Sequence, residues 1–393
     1  MSKLEECILG DLVEFQRGYD LPKSKFVEGK YPVQSSNGIL GYHNEYKVEG
    51  PGITIGRSGT VGTPHLIREN FFPHNTSLFV KEFKGNDIEY IYYLLQYLDL
   101  GNQKSGSGVP TMNRNHLHPI KIRAYRDKTY QQRTIKILSL IDKKIQINNQ
   151  INQELEAMAK TLYDYWFVQF DFPDQNGKPY KSSGGKMVYN PELKREIPEG
   201  WGVKRLGEIC NPTSGYPFAS NTYVQDGKFK IYTIKNVQDN GILPITDNTL
   251  DTLPANLPEK CILGPGDMLM SLTGNVGRVG IVFEDNALLN QRVLKIESKY
   301  KAFIFQFLKD PRTRSLLENT ATGTSQKNLS PKDVMDISII FPGFNVLIEF
   351  EQISNEILLQ ITSNNQQNQE LTQLRDWLLP MLMNGQVKVE DKT

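Results

Sequence analysis

The sequence predicts an α+β protein in which two mixed α/β domains are held apart by two long antiparallel helices, a coiled-coil spacer. Three observations lead to this fold class. The chain of 393 residues repeats itself, each copy contains short β-type runs, and each copy ends in a long segment of helical period. Because the copies follow one another in one chain, we expect a pseudo-twofold relation between the two halves.

The repeat is visible at an offset of 215 residues, where RSGTVG (57–62) aligns with LTGNVG (272–277). The matched residues are glycines and asparagines that are widely separated along the chain: Gly59 with Gly274, Gly62 with Gly277, Asn75 with Asn290, and Asn113 with Asn328. Several separated matches at one offset indicate an internal repeat.

Each half runs through the same order of elements. Short apolar runs bounded by Gly and Pro predict strands, and they are GITIG, TSLFV, DMLMSL, VGIVF and RVLKIES. The aromatic stretches at 88–98 and 302–308 predict helices that pack on these strands. The segments at about 130–167 and 348–383 predict the two long helices.

The long segments carry residues at alternating spacings of three and four, which is typical of a helix that packs along another helix. In the first segment these seam residues are Ile145, Asn148, Asn152, Leu155, Ala159, Leu162 and Trp166. In the second they are Ile361, Asn364, Asn368, Leu371, Arg375 and Leu378. Two such helices would pair antiparallel or present matching faces to a partner.

An octapeptide is repeated within these segments, as NNQINQEL (148–155) and NNQQNQEL (364–371). A solvated helix surface is the simplest interpretation of either copy alone. Repetition in register on the seam favours a different role, because a seam asparagine lowers stability but fixes register and partner orientation.

Composition bounds the class of protein. The net charge is +1, and the three cysteines (Cys7, Cys210 and Cys261) are odd in number and far apart. This pattern argues for a reducing compartment and against a disulfide framework or zinc site. The sequence contains no apolar run near the ~20 residues of a membrane span. We therefore expect a soluble, cytoplasmic protein with no membrane partner.

The sequence indicates no catalytic site and no metal site. It lacks the glycine-lysine-hydroxyl pattern of a phosphate-binding loop. GNVGRVG (274–280) has the wrong spacing for a dinucleotide loop and is expected to be a hairpin turn. A self-contained endonuclease would need a carboxylate–lysine metal site, and the nearest candidate, Asp174 with Asp226 and Lys228, spans a linker.

DNA binding is better supported by two basic loops, at 101–118 and 319–332, that combine Lys or Arg with Ser, Thr, Asn and Gln and contain no acid. Such side chains suit phosphate oxygens and base edges. The candidate DNA contacts in the first half are Arg57, Ser58, Lys104, Ser105, Asn113 and Arg114. Those in the second half are Lys235, Asn275, Arg278, Gln326 and Lys327. An ordinary solvated loop remains the alternative for each.

The chain resembles the specificity (S) subunits of type I DNA restriction–modification enzymes over essentially its whole length. The most specific parts are the helix entering through QQRTIKILSLIDKKIQINNQINQELEAMAKTLYDYWFVQFDF (131–172), the segment IPEGWGVKRLGEI (197–209) and the closing QNQELTQLRDWLLPMLMNGQV (367–387). The hairpin TGNVGRVGIV, with LLNQRVLKI after it, resembles part of a target recognition domain.

The resemblance implies two target recognition domains that each read half of a bipartite double-stranded DNA target. It also implies that the helices dock two methyltransferase (M) subunits, with nuclease/translocase (R) subunits joining the complex. S-adenosylmethionine, ATP and Mg would belong to those partners, and this chain would hold no cofactor. The seam residues listed above, apart from Ala159, Trp166 and Arg375, are the candidate partner-binding residues.

The predicted boundaries are target recognition domain 1 at 1–130, a first spacer helix at 131–168, a linker and target recognition domain 2 at 169–347, and a second spacer helix with a tail at 348–393. The linker is rich in Pro, Gly and Ser and is expected to be an exposed connection.

The halves also differ. LGDL (9–12) matches LGEI (206–209) at an offset of 197, so the second half carries about 18 more residues before the offset reaches 215. The two domains should therefore read different half-sites, which makes the target asymmetric. A helical scaffold or adaptor that does not bind DNA is the alternative function. It would explain the seam but not the two basic loops.

Overall fold

The computed structural model describes residues 3–102, 112–239, 241–323 and 327–387. The chain divides into two compact units, one formed by Met1–Ile145 with Glu370–Thr393 and the other by Gln146–Gln369. We call them the first unit and the second unit. Three candidate DNA contacts, Lys104, Ser105 and Gln326, lie outside the described residues.

The first unit is built from short strands, two short helices and parts of two long helices. Its strands are β1 (Glu5–Ile8), β2 (Glu14–Arg17), β3 (Tyr31–Ser35), β4 (Gly38–His43), β5 (Gly52–Gly56), β6 (Pro64–Ile67), β7 (Phe72–Pro73), β8 (Ser77–Glu82) and β9 (Lys121–Ala124). Its helices are α1 (Ile88–Tyr97), α2 (Arg114–Leu117), part of the long helix α3 (Lys128–Tyr163) and the end of the last long helix of the chain, from residue 370.

The strands of the first unit form a four-stranded sheet in the order β2-β8-β5-β6 and a three-stranded sheet in the order β4-β3-β7, while β1 pairs with β9. Strand β5 is buried along its whole length, as its short and largely apolar sequence GITIG predicts. Helix α1 shares a core with this sheet, in which Tyr90 and Ile91 pack in one cluster with Ile53 and Ile55. The predicted strands at 52–56 and 76–80 and the helix at 88–98 are confirmed.

The second unit has a similar composition of elements. Its strands are β10 (Met187–Asn190), β11 (Arg195–Pro198), β12 (Gly202–Arg205), β13 (Asn211–Ser214), β14 (Phe229–Tyr232), β15 (Val237–Gln238), β16 (Gly241–Ile242), β17 (Thr249–Leu250), β18 (Ile262–Leu263), β19 (Met268–Ser271), β20 (Val279–Ile281), β21 (Ala287–Leu289), β22 (Val293–Glu297) and β23 (Ser338–Phe341). Its helices are the second part of α3, α4 (Lys301–Lys309), α5 (Pro311–Thr320), α6 (Pro331–Met335) and the first part of α7 (Phe344–Met383).

The sheet β13-β22-β19-β20 of the second unit matches the sheet β2-β8-β5-β6 of the first, and β12 pairs with β23 as β1 pairs with β9. A second four-stranded sheet has the order β17-β14-β21-β18. Phe303 and Ile304 of α4 pack in one core with Met270 and Leu294. The strands and helix predicted here are confirmed, and GNVGRVG (274–280) forms the turn after β19 and the first two residues of the antiparallel strand β20.

Strand register corrects one matched pair of the repeat. Ile55 lies opposite Leu78 in the first unit, and Met270 lies opposite Leu294 in the second, so the offset is 215 for one strand and 216 for the next. The counterpart of Asn290 is therefore His74 and not Asn75. Tyr19 forms an isolated parallel β-bridge with His74, and Tyr216 forms an isolated parallel β-bridge with Asn290.

The pairing of Asn113 with Asn328 is wrong by two residues. The Asn113 side chain caps α2 by accepting from the Asn115 N–H, and the Ser330 side chain caps α6 by accepting from the Asp333 N–H. The Met112 N–H donates to the Arg57 carbonyl at 2.8 Å, and the Leu329 N–H donates to the Leu272 carbonyl, also at 2.8 Å. The sequence alignment paired Asn113 with Asn328 because both are asparagines. The backbone hydrogen bonds instead make Asn113 equivalent to Ser330, since each residue caps a helix.

The additional residues of the second half lie between β14 and β19. Val33 pairs with Phe72 and Ile231 pairs with Leu288, which makes β3 and β14 equivalent. From Val33 to Ile55 the chain advances 22 residues, and from Ile231 to Met270 it advances 39, a difference of 17. The longer segment contains the hairpin β15–β16.

The two predicted long helices are present. Helix α3 covers 36 residues and continues as one π-helical turn over Asp164–Val168, and helix α7 covers 40 residues. Each helix contributes residues to both units. No helix among the residues that the structure describes combines the length and the apolar character needed to cross a membrane.

The amide-rich parts of the two octapeptides meet within the second unit. Asn148 Nδ2 donates to Asn368 Oδ1 at 2.9 Å, and Asn364 Nδ2 donates to Asn152 Oδ1 at 2.8 Å. Asn364 and Asn368 occupy the same positions in their octapeptide as Asn148 and Asn152 do in theirs. In both hydrogen bonds, therefore, the first residue of one octapeptide donates to the fifth residue of the other. Residue numbers rise on α3 as they fall on α7, so the helices run antiparallel here.

A second reciprocal pair of hydrogen bonds surrounds the first. Asn152 Nδ2 donates to Asn365 Oδ1 at 2.9 Å, and Asn368 Nδ2 donates to Asn149 Oδ1 at 2.8 Å. Reciprocal contacts of this kind are the mark of a self-complementary interface. The two copies of the octapeptide therefore hydrogen-bond to each other through equivalent residues.

The segment after α3 is more ordered than an exposed connection. Strands β10 and β11 form an antiparallel hairpin. Phe170 and Phe172 are buried, and the Phe172 ring stacks on Tyr180 and on Trp201 with centroid distances of 4.6 and 4.9 Å. The aromatic residues scattered through this polar segment override its linker-like composition.

Candidate DNA interface

A groove of about 610 Å³ on the first unit brings together Arg57, Asn113 and Arg114, three of the candidate DNA contacts. The end of β2 and the residues after it form the rest of the lining, including Arg17 and Tyr19. The groove therefore combines three arginines with an asparagine and a tyrosine, which suits a nucleic acid backbone and its base edges.

A glycine shapes the groove where β2 ends. A Cβ atom on Gly18 would lie 2.1 Å from the His74 carbonyl oxygen, and one on Gly215 would lie 2.0 Å from the Asn290 carbonyl oxygen. Both halves thus require glycine at this crossing. The tyrosine that follows the glycine in each half is held at the same place.

Hydrogen bonds fix the walls of the groove. The Arg57 guanidinium donates through Nη1 to the Asn75 carbonyl at 3.3 Å. The neighbouring candidate Ser58 is half-buried, and its N–H donates to the Thr76 carbonyl at 3.2 Å. Arg114 is exposed at the start of α2. Arg57 is therefore oriented by the backbone, while Arg114 reaches solvent.

The second unit links its described candidate residues through one chain of contacts. The Lys235 carbonyl accepts a hydrogen bond from Gln238 Nε2. Gln238 Oε1 in turn accepts from Arg278 Nη1 at 2.9 Å, and Arg278 Nη2 lies 2.9 Å from Asp239 Oδ2. Gln238 is the last residue of β15, and Asp239 follows it in the hairpin β15–β16. The additional residues of the second half therefore contact Arg278 directly.

The chain of contacts continues to the loop after α5. Arg314 pairs with Asp239 and donates through Nε to Glu318 Oε1 at 3.1 Å. Lys327 Nζ donates to the Glu318 carbonyl at 2.8 Å, and the Lys327 carbonyl accepts from the Gly274 N–H at 3.0 Å. The exposed Asn275 follows Gly274 in the turn. Lys235, Asn275, Arg278 and Lys327 therefore belong to one connected surface.

At the centre of this surface, the Asp239 carboxylate is paired with the guanidinium groups of Arg278 and Arg314. The hydrogen bond from Arg314 holds the pKa of the Asp239 carboxyl below its ordinary value, so Asp239 is ionised at neutral pH. The Arg278 side chain is only 17% exposed. Its Nε is buried and has no hydrogen-bond partner among the described residues. Arg278 is thus held by the protein itself more than it is offered to solvent.

Several residues of these surfaces were not found from the sequence. They are Arg17, Tyr19 and Asp20 in the groove and Gln238, Asp239 and Arg314 in the second unit. The repeated Gly-Tyr pairs at 18–19 and 215–216 are a signal that could have identified Tyr19. Arg314 lies outside the acid-free windows, and its partner Asp239 is 75 residues away.

The candidate partner-binding residues of the helices are buried or half-buried. They are Ile145, Asn148, Asn152, Leu155, Leu162, Ile361, Asn364, Asn368, Leu371 and Leu378. Other apolar residues of the same helices are exposed: Ile147, Ile151 and Met158 on α3 in the second unit, and Leu374 and Trp377 on α7 in the first. Spacings of three, four and seven place each group on one helix face.

The described residues contain no cluster of three or more His, Cys, Asp and Glu side chains that could hold a metal ion.

A family model described as the type I restriction modification DNA specificity domain matches residues 1–157 and, a second time, residues 198–373. The chain belongs to this family. The two matches fall in the two halves of the repeat, so each half resembles one DNA specificity domain.

Relatives support this membership. The chain is 27% identical over 317 residues to the type I restriction enzyme MjaIX specificity subunit of Methanocaldococcus jannaschii, a match that covers 77% of this chain and 70% of the relative. It is 26% identical over 317 residues to the HindI specificity subunit of Haemophilus influenzae, a match that covers 66% and 68% of the two chains.

The fold matches the crystal structure of a type I restriction–modification system S subunit from M. genitalium. The TM-score is 0.60 at 16% identity, and the match covers 100% of this chain and 97% of that one. Specificity subunits of these systems recognise DNA and are not catalytic. The chain is accordingly a specificity subunit and not itself an enzyme, as the sequence predicted.

Proposed function

We propose that this specificity subunit reads a bipartite, asymmetric double-stranded DNA target with one half-site for each target recognition domain. The proposed domains are residues 1–130 and 169–347. The observation that carries the asymmetry is the hairpin β15–β16, which lies in the residues that the second half has in addition and contacts Arg278. The groove with Arg57 and Arg114 in the first unit is a different constellation.

Affinity and sequence choice would come from different contacts. Exposed arginines and lysines such as Arg114 and Lys327 would neutralise phosphates, which gives affinity that depends on salt. Amide and hydroxyl groups near them, including Asn113 and Asn275, would read base edges. Two modest sites on one chain strengthen each other through effective concentration when the half-site spacing fits.

We infer that α3 and α7 act as a coiled-coil spacer, with segments 131–168 and 348–393 related by a pseudo-twofold axis. The reciprocal hydrogen bonds among Asn148, Asn152, Asn364 and Asn368 support this arrangement, because a twofold relation makes every contact occur twice. A spacer of fixed length would set the gap between the half-sites.

The same helices would dock two methyltransferase subunits, and nuclease/translocase subunits would join that complex. The seam residues are turned away from solvent, so docking would use exposed apolar residues such as Ile147, Ile151 and Met158. S-adenosylmethionine, ATP and Mg would then belong to the partner subunits and not to this chain.

A cytoplasmic location fits this proposal. Cys7, Cys210 and Cys261 are free thiols. A chain with separate, unpaired cysteines suits a reducing compartment, which is also where the chromosomal DNA and the partner subunits of such a system would be found.

A map of adenine methylation across the host genome, with and without the gene, tests the proposed function. Deletion should remove one gapped, asymmetric methylated motif, and this motif would identify both half-sites. Methylation of a palindromic motif would contradict the asymmetry. An unchanged map, in a strain whose methyltransferase subunit is shown to be expressed, would favour the scaffold that does not bind DNA.

A further inference from the structure

Asp239 lies between two guanidinium groups on the surface of the second unit. It forms ion pairs with Arg278, at 2.9 Å, and with Arg314. Glu318 forms a further ion pair with Arg314 at 3.1 Å. Two arginines are thus matched by two carboxylates, which leaves this cluster without the positive charge that a phosphate-binding site needs.

The exposure of the three central side chains differs in a way that bears on DNA contact. Arg278 is 17% exposed and Arg314 is 32% exposed, whereas Asp239 is 55% exposed. The group that the cluster offers most openly to a ligand is therefore the carboxylate. Asp239 also directly follows β15, within the residues that the second half has in addition.

A carboxylate at a DNA surface acts differently from an arginine. It repels the phosphate backbone of every sequence, so it lowers affinity for DNA in general. It can accept a hydrogen bond from the amino group of cytosine N4 or adenine N6 in the major groove, and other base edges lack that donor. Each oxygen of Asp239 has a further lone pair beyond its arginine contact.

We propose that Asp239 is a specificity-determining residue of the second target recognition domain. It keeps Arg278 and Arg314 from acting as phosphate contacts, and it presents a fixed carboxylate to the amino group of a base in the second half-site. The inference rests on the proposed function, in that this domain must read DNA.

The test uses the full chain in complex with its methyltransferase subunit. Two duplexes are compared, one with the intact target defined by the methylation map and one with only the second half-site scrambled. Dissociation constants are measured by fluorescence anisotropy over a range of salt concentrations, for the native chain and for Asp239→Asn. The matched control is Asp251→Asn, which removes one exposed carboxylate from the same half.

Asp239→Asn should bind the scrambled duplex several-fold more tightly, and the ratio of the two affinities should fall by about tenfold. Its plot of log affinity against log salt on the scrambled duplex should steepen by about 0.9, the value for one added phosphate contact. Adding Arg278→Gln should abolish this gain, while Arg278→Gln alone should leave the native slope on that duplex unchanged. Asp251→Asn should behave as the native chain.

Two results would overturn the inference. One is an unchanged affinity ratio in Asp239→Asn. The other is a loss of binding to both duplexes together with a lower melting temperature, which would make Asp239 a structural clamp. Arg278→Gln is a separate check if Asp239→Asn does not fold, because a shallower slope in that single variant would show that Arg278 already contacts phosphate. If the native complex does not distinguish the two duplexes, the proposed function itself fails.

Discussion

The three arginines of the first groove stand in different environments. Arg57 is half-buried and donates to the Asn75 carbonyl at 3.3 Å. Arg17 pairs with Asp20 at 3.3 Å, and both side chains are largely exposed. Such surface pairs contribute little to stability, so Arg17 can exchange Asp20 for a phosphate at small cost. Arg114 is exposed and can contact a phosphate without first giving up an ion pair of this kind.

Arg114→Gln should weaken binding to intact and scrambled duplexes by a similar factor, because a phosphate contact carries no sequence information. The slope of log affinity against log salt should become shallower by about 0.9. Fluorescence anisotropy over a range of salt measures both effects. Lys23→Gln, an exposed charge outside the groove lining, is the control and should have little effect. An equal loss of DNA affinity in both variants would mean that Arg114 acts only through the net charge of the protein and not through a specific phosphate contact.

The sequence indicated residue types that suit a DNA surface, but not the contacts that those residues make within the protein. Arg57, Asn113 and Arg114 were accessible to sequence reasoning because they lie in windows without acids, and the structure brings them into one groove. Arg278 also stood out by its charge. Its restraint by Asp239 depends on a hairpin that lies about forty residues earlier in the chain, and local composition does not encode that contact.

At the scale of elements, the pairing of α3 and α7 depends on polar groups where an apolar seam would be more stable. Asn152 is 7% exposed and makes two amide hydrogen bonds to α7, donating to Asn365 and accepting from Asn364. A buried amide must find another polar group, so these hydrogen bonds favour this register over a shifted one. The asparagines define where the helices meet.

Asn152→Leu should lower the free energy of unfolding by about 1–3 kcal/mol, because it leaves the buried Asn364 amide without its acceptor. The double variant Asn152→Leu with Asn364→Leu should recover much of that loss, since replacing both partners by apolar groups can be nearly neutral. Chemical denaturation of the two single variants and the double variant measures the coupling. Additive losses would mean that the two residues do not stabilise the pairing together.

Secondary structure was predictable wherever the local pattern and the tertiary environment agree. GITIG is buried on every residue and is a strand, and the aromatic run at 88–98 is an amphipathic helix on that sheet. The prediction of an exposed connection after α3 was wrong because it relied on the polar composition of that segment. There, three separated rings, Phe172, Tyr180 and Trp201, come together only in the folded chain.

At the scale of the whole molecule, a repeated framework carries two different surfaces. The strand order β2-β8-β5-β6 recurs as β13-β22-β19-β20, and the family model matches each half. The offset of 216 that relates the octapeptides also relates Lys128 to Phe344, the first residues of α3 and α7. Matched helices with unmatched recognition surfaces would keep partner docking constant while the DNA sequence that is read varies.

The spacer proposal predicts that helix length sets the gap between the half-sites. Inserting seven residues, two helical turns, into both α3 and α7 next to the octapeptides keeps the seam pattern in phase. At 1.5 Å per residue the insertion adds about 10 Å, which corresponds to about three base pairs of DNA. Methylation mapping should then show the same two half-sites separated by a longer gap.

The control is the same seven-residue insertion in α3 alone. It shifts one helix by two turns against the other, so Asn148 and Asn152 lose their partners Asn368 and Asn364, and stability should fall. A double insertion that methylates the original gap would mean that the helices do not set the spacing. A double insertion that changes the bases read would mean that recognition depends on how the helices are joined to the domains, since no residue of either recognition surface has been altered.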